Sequence, residues 1–113
     1  MTGRFRRNER IRRRVEFQKV YDHGVRIHSR YSTLFVLPNQ QAIGRLGIAA
    51  TRKLGGAVVR NRAKRLIREI FRRNKVTGGL DVVVVPRPRL LEASFEAVEA
   101  DYRTTLERHQ HGR

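Results

Sequence analysis

The chain has 113 residues, 39% of them hydrophobic, no Cys, and 26 Lys+Arg against 10 Asp+Glu, for a net charge of +16. That length supports one domain with a modest core, and apolar runs such as Val82–Val85 fall far short of the roughly 20 residues of a bilayer span. The missing thiols exclude disulfides, thiolate zinc sites and Cys nucleophiles, and an Arg-dense N-terminus with no apolar segment behind it carries no expected secretory signal, so a cytoplasmic protein is the default.

In chain order, residues 4–14 hold seven Arg and one acid, Glu9, without apolar periodicity. They read as a flexible basic arm over residues 1–14 that orders on a polyanion. From Val15 to His23 the apolar residues Phe17, Val20 and Tyr21 keep helical spacing, and Gly24 stands as a C′ stop. Val25–His28, Ser32–Leu37 and Ile43–Ala50 are rich in β-branched, aromatic and small residues and read as antiparallel strands. A long helix is expected from Ala57 to Asn74, ending before Thr77-Gly78-Gly79. Asp81–Val85 is a buried strand stopped by Pro86 and Pro88. Ser94 then caps a last helix that buries Phe95, Val98, Tyr102 and Leu106. The order is α-β-β-β-α-β-α, with one domain over residues 15–108 and a short tail over 109–113.

The charge demands a partner. A compact chain at +16 repels itself, and a polyanion relieves that cost. An anionic membrane is one such polyanion, but basic membrane binders also expose a strongly apolar helix face or a lipid site, and neither is seen. Nucleic acid is the better fit. On a helical wheel at about 100° per residue, Val59, Ala63, Leu66, Ile67 and Ile70 share one arc, with Phe71 at its edge. Asn61, Lys64, Arg65, Arg68 and Arg72 occupy the opposite arc, Arg60 and Arg62 flank the stripe, and Glu69 is the only acid on the polar face. A solvated helix normally interleaves both signs, because like charges one turn apart destabilise it. Repulsion left standing here marks a face that meets phosphates.

The segment Lys53-Leu54-Gly55-Gly56-Ala57-Val58-Val59-Arg60-Asn61-Arg62-Ala63-Lys64-Arg65-Leu66-Ile67-Arg68-Glu69-Ile70-Phe71 closely resembles the hallmark of the bacterial ribonuclease P protein component, with its RNR core at residues 60–62. The similarity extends to Phe17-Gln18-Lys19-Val20-Tyr21 with Gly24, to Arg45-Leu46-Gly47-Ile48 and to Asp81-Val82-Val83-Val84, and covers most of residues 10–106. The resemblance implies an α+β two-layer sandwich with a four-stranded sheet and a left-handed βαβ crossover. The general rule for parallel crossovers would instead give a right-handed one.

The resemblance further implies a division of labour. The family's catalyst is an RNA subunit that uses Mg²⁺ to remove the 5′ leader of precursor tRNA, while the protein, a monomer in the ribonucleoprotein, assists. The face of Arg60, Asn61, Arg62, Lys64, Arg65, Arg68 and Arg72 is then expected against the catalytic RNA. A cleft between the first helix and the sheet is expected to take the single-stranded leader, its bases stacking on Phe17, Tyr21 and Phe35, with Arg13, Arg14, Arg52 and Lys53 on its phosphates. Those three rings are equally readable as core aromatics. Ser32 stands where many relatives carry an aromatic, which leaves Tyr31 as a candidate substitute. The inventory agrees with an assisting role: Asp81 precedes a strand, Glu16 and Asp22 lie on the first helix and most other acids on the last, so no paired-carboxylate or metal site is suggested. His109 and His111 near the chain end read as solvated residues rather than ligands. A small ribosomal protein shares the size and charge without needing the aromatic cleft, and a nucleoid DNA binder would need a dimer interface that the sequence does not offer.

Overall fold

The computed structural model describes residues 9–75 and 78–111. It contains α1 (Arg14–His23), β1 (Val25–His28), β2 (Ser32–Pro38), β3 (Arg45–Ile48), α2 (Ala57–Arg73), β4 (Leu80–Pro86), a 3₁₀ turn (Pro88–Glu92) and α3 (Phe95–His111). The sheet order is β1-β2-β4-β3, with β3 and β4 parallel and the other pairs antiparallel. α2 is therefore the crossover between the two parallel strands.

Side-chain alternation along β4 sorts the core into two faces. Val82 and Val84 lie beside Val36 and Leu34 of β2 and Leu46 of β3. Onto them pack Ala63, Ile67, Ile70 and Phe71 of α2 and Val98, Tyr102 and Leu106 of α3. Val83 faces the other way, into a second cluster with Ile11 and Val20, against which Phe17, Tyr21 and Phe35 pack. The sheet with α2 and α3 is the two-layer body, and α1 gives partial cover to the opposite face. β4, central and apolar on both faces, reads as a continuous Val run for this reason.

Several local expectations change. β3 is shorter than Ile43–Ala50, because the Ile43 carbonyl accepts a hydrogen bond from Asn39 Nδ2 (3.1 Å) and belongs to the preceding loop. The 3₁₀ turn after β4, with Leu90 fully buried, has too few residues to show a period. Gly24 ends α1 in an extended conformation (φ −81°) rather than a left-handed one. Its need for glycine is steric, since a Cβ would stand 2.5 Å from the Val20 carbonyl oxygen and 3.0 Å from that of Val36. The arm expected over residues 1–14 lies outside the described residues up to residue 8, but the folded domain begins before residue 15. Ile11 is 4% exposed, and its N–H donates to the Leu46 carbonyl (2.9 Å), placing residues 10–11 alongside the open edge of β3. Glu9 is buried in an ion pair with Lys75. At the other end α3 continues to His111, into the expected tail.

One guanidinium ties these pieces together. Arg45 of β3 donates from Nε and Nη2 to the two carboxylate oxygens of Asp81 on β4 (2.9 and 2.7 Å) and from Nη1 to Glu16 of α1 (2.9 Å). Asn39 adds a donor to Asp81 (2.7 Å), and the other oxygen of Glu16 accepts the N–H groups of Arg12 and Arg13 (3.2 and 3.1 Å) at the start of α1. Burial pushes the Glu16 carboxyl up, but the backbone N–H groups and Arg45 outweigh it and hold its pKa below the ordinary 4.5. A depressed carboxyl stabilises the fold fully above its unfolded pKa and loses that contribution as pH falls through the folded value. Arg45→Met is expected to cost about 3–5 kcal/mol in urea unfolding, because it strands the buried Asp81 carboxylate, and to flatten the acid-side loss of stability. Gln18→Ala, which removes only an exposed side-chain hydrogen bond to Asp22, is expected to leave the urea midpoint unchanged.

Candidate nucleic-acid interface

α2 runs for 17 residues from an N-cap at Gly56, with no acid in its first turn. Burying its apolar stripe fixes its rotation and turns the basic arc outward. Asn61, Arg62, Arg65 and Arg68 are exposed, while Arg60 and Lys64 are half-buried. Burial, then the nearby guanidiniums of Arg10 and Arg65, lowers the Arg68 pKa. Like charges are thus crowded on this face, and Arg10, which the sequence reading left in the arm, is one of them.

Arg72 does not extend that face. Its guanidinium is locked on Glu69 through Nε (3.0 Å) and Nη2, and Arg73 Nε reaches the same carboxylate (2.9 Å). These hydrogen bonds hold Glu69 down to about 2. Arg73 also lies 4.8 Å over the Phe95 ring, tying the last turn of α2 to α3. The last turn is a paired cluster in which one carboxylate offsets one of two guanidinium charges, whereas the turns before it carry cations and no acid.

On the opposite face of the sheet the expected rings come together. Phe17 and Tyr21 have centroids 6.4 Å apart, and Tyr21 meets Phe35 edge-on at 4.9 Å. All three are half-buried; they anchor α1 and leave part of their surface outside. Gly47 makes the row possible, since a Cβ there would stand 2.8 Å from Phe17 Cε1 and 3.1 Å from Ile11 Cβ. Tyr31 is not part of the row. It precedes β2, its N–H donates to Asp101 (3.3 Å), and its ring packs on the α2–α3 side. Ser32 is buried on that side too, beside the Leu34 face, so neither residue supplies an aromatic to the row. Arg13 and Arg14 are exposed at the start of α1, and Arg52 and Lys53 are exposed in the turn that leads from β3 into α2.

Among the described residues no group of three or more His, Asp or Glu converges. Seven of the ten carboxylates are engaged: Asp81 and Glu16 with Arg45, Glu9 with Lys75, Glu69 with Arg72 and Arg73, Glu99 with Asn74, Asp22 with Gln18, and Asp101 with the N–H groups of Arg30 and Tyr31. The exposed Glu92, Glu96 and Glu107 do not gather into one group either, so the described residues offer no convergent set of oxygen ligands such as a protein-held Mg²⁺ uses.

Comparison with known proteins decides the family. The family model for ribonuclease P matches residues 5–110. The chain belongs to the ribonuclease P protein family. The ribonuclease P protein component of Thermotoga maritima is 43% identical over 101 residues, covering 88% of this chain and 86% of that one. That of Clostridioides difficile is 32% identical over 107 residues, covering 92% and 94%. The solved structure of the Thermotoga maritima ribonuclease P protein superposes with a TM-score of 0.80 at 38% identity, over 88% of this chain and 96% of that one. As a family member the chain is a protein subunit of a ribonuclease holoenzyme.

The close approach at Gly47 gives a test of how the ring row is held. Gly47→Ala is expected to lower stability by about 1–3 kcal/mol through overpacking, and Phe17→Leu in the same chain is expected to recover part of it. Thermal unfolding of the two variants and the wild type at one phosphate concentration checks this.

Proposed function

We propose that the chain binds the catalytic RNA of ribonuclease P through α2 and the 5′ leader of precursor tRNA through the α1–sheet face. There it assists RNA-catalysed, Mg²⁺-dependent endonucleolytic removal of the leader in tRNA 5′ maturation. The observation that carries this reading is the uncompensated basic face of α2, from Arg60 to Arg68, on a family member whose other sheet face presents the row Phe17, Tyr21 and Phe35. Guanidiniums suit bidentate contact with phosphate oxygens, and their charge lowers the mutual repulsion of phosphates brought together by RNA folding. The RNA then holds its Mg²⁺ at a lower free concentration. Half-exposed rings stack on bases with little sequence preference, as an enzyme that accepts many leaders requires. The dispersal of the carboxylates, with no convergent group among the described residues, supports placing the metal and the bond cleavage in the RNA. The protein works as a monomer in a cytoplasmic ribonucleoprotein.

The two surfaces are separable by mutation. Arg65→Ala is expected to weaken binding to a bacterial ribonuclease P RNA about tenfold, the loss of one charge-assisted contact, and to reduce the salt dependence by about one counterion. Arg72→Ala, whose guanidinium is already spent on Glu69, is expected to change neither. Phe17→Ala and Tyr21→Ala are expected to weaken holoenzyme binding of leader-bearing precursor by about 1–3 kcal/mol per lost stack, with mature tRNA unaffected. Equal losses for precursor and mature tRNA in folded variants would make the rings core residues only.

A further inference from the structure

A groove of ≈ 170 Å³ runs between the segment at residues 10–12 and α2, lined by Arg10, Ile11, Arg12, Phe17, Leu46, Ile48, Lys64 and Arg68. Its construction follows from one apolar residue. Ile11 is buried against the second core cluster, and its N–H is held by the Leu46 carbonyl (2.9 Å) at the edge of β3. Holding Ile11 in place also holds its neighbours Arg10 and Arg12, which line the groove on either side of it. Behind them Glu9 is clasped by Lys75, whose ammonium also lies 5.8 Å from the Phe71 ring centroid. The strap is fixed at both ends, at Glu9 and at Glu16, which accepts the Arg12 N–H.

The chemistry of the lining selects the ligand. Four cations come from two separate pieces of chain, the floor is Ile11, Phe17, Leu46 and Ile48, and among the described residues no carboxylate lines it. At about 30 Å³ per water in the liquid, the volume holds several waters, enough for a tetrahedral anion with its ester oxygens. Arg10 and Lys64 line the same groove as Arg68; partial burial first, and then the charges of Arg10 and Arg65, disfavour the Arg68 cation there, and an anion between the guanidiniums relieves both.

We propose that this groove binds one internucleotide phosphate, held between Arg10 and Arg12 of the strap and Lys64 and Arg68 of α2. The site joins the two surfaces assigned above, since it shares Lys64 and Arg68 with the basic face and Phe17 with the ring row. It deepens the RNA-binding reading and rests on it for the source of the phosphate, whereas the capacity for phosphate is tested without any RNA.

The first experiment follows backbone and guanidinium NMR signals of the full chain as inorganic phosphate replaces chloride at constant ionic strength. Shifts concentrated at residues 10–12, 64 and 68, lost in both Arg10→Gln and Arg68→Gln and retained in Arg103→Gln on exposed α3, support the site. Shifts spread evenly over the basic surface, or unchanged in the two groove variants, overturn it. The same spectra report whether the sheet is intact, and Arg12→Gln replaces any variant that does not fold. The second experiment locates the phosphate. An approximately tenfold loss of affinity of Arg10→Gln for the catalytic RNA alone assigns it to that RNA. The same loss confined to leader-bearing precursor on the reconstituted holoenzyme assigns it to the leader. No loss in either arm, with Arg65→Ala still impaired, overturns the RNA phosphate while leaving the α2 reading standing. No loss for Arg65→Ala as well marks failure of that reading instead.

Discussion

The Arg45 guanidinium is the constraint on which the rest of the architecture depends. It joins β3, β4 and α1 through Asp81 and Glu16. Asp81 is only 4% exposed, and a carboxylate so placed is tolerable only with a full set of hydrogen-bond partners. Arg45 and Asn39 supply them. Because Glu16 also gathers the N–H groups of Arg12 and Arg13, the same network sets where α1 begins and how the strap enters it. With α1 held there, Phe17 lies over Gly47 and the ring row follows.

Acids and bases are spent differently in this molecule. Half of the ten acids are consumed in holding it together: Glu16 and Asp81 on Arg45, Glu9 on Lys75, Glu69 on Arg72 and Arg73, and Asp101 on the turn before β2. The surplus cations are left on α2, where burial of the opposite stripe prevents the helix from rotating them away. Such a surface is unfavourable for the isolated protein and favourable against a polyanion. Stability and the proposed function are thus linked through the same excess charge: on the reading proposed above, the chain contributes charge and stacking surface, and its RNA partner the metal and the bond-breaking.

Strong periodicity was legible and isolated contacts were not. The wheel of α2 placed Ala63, Ile67 and Ile70 in the core correctly, though Phe71, set at its edge, is fully buried. The Val run of β4 and the Ser94 cap, whose Oγ accepts the Ala97 N–H (3.1 Å), also stand as read. Ile11 was missed because one apolar residue among arginines has no period, although its burial orders the strap. The pairing of Arg72 was not legible because the wheel assigns a direction to a side chain but not a partner; Glu69 at i−3 was the available signal. Tyr31 was misassigned because a residue one position before a strand does not keep the strand's alternation. Phe17, Tyr21 and Phe35 were readable as either core or surface, and the structure shows them half-buried in one row.

The most direct measurement compares precursor-tRNA cleavage by a bacterial ribonuclease P RNA alone, by this protein alone and by the mixture across a Mg²⁺ series. If the chain supplies charge and stacking while the RNA supplies the chemistry, the mixture cleaves at Mg²⁺ concentrations where the RNA alone is inactive. The protein alone cleaves at none, and no single Asp→Asn or Glu→Gln change in a folded protein abolishes the reaction. Cleavage by the RNase-free protein without RNA, lost on changing one carboxylate, would contradict it.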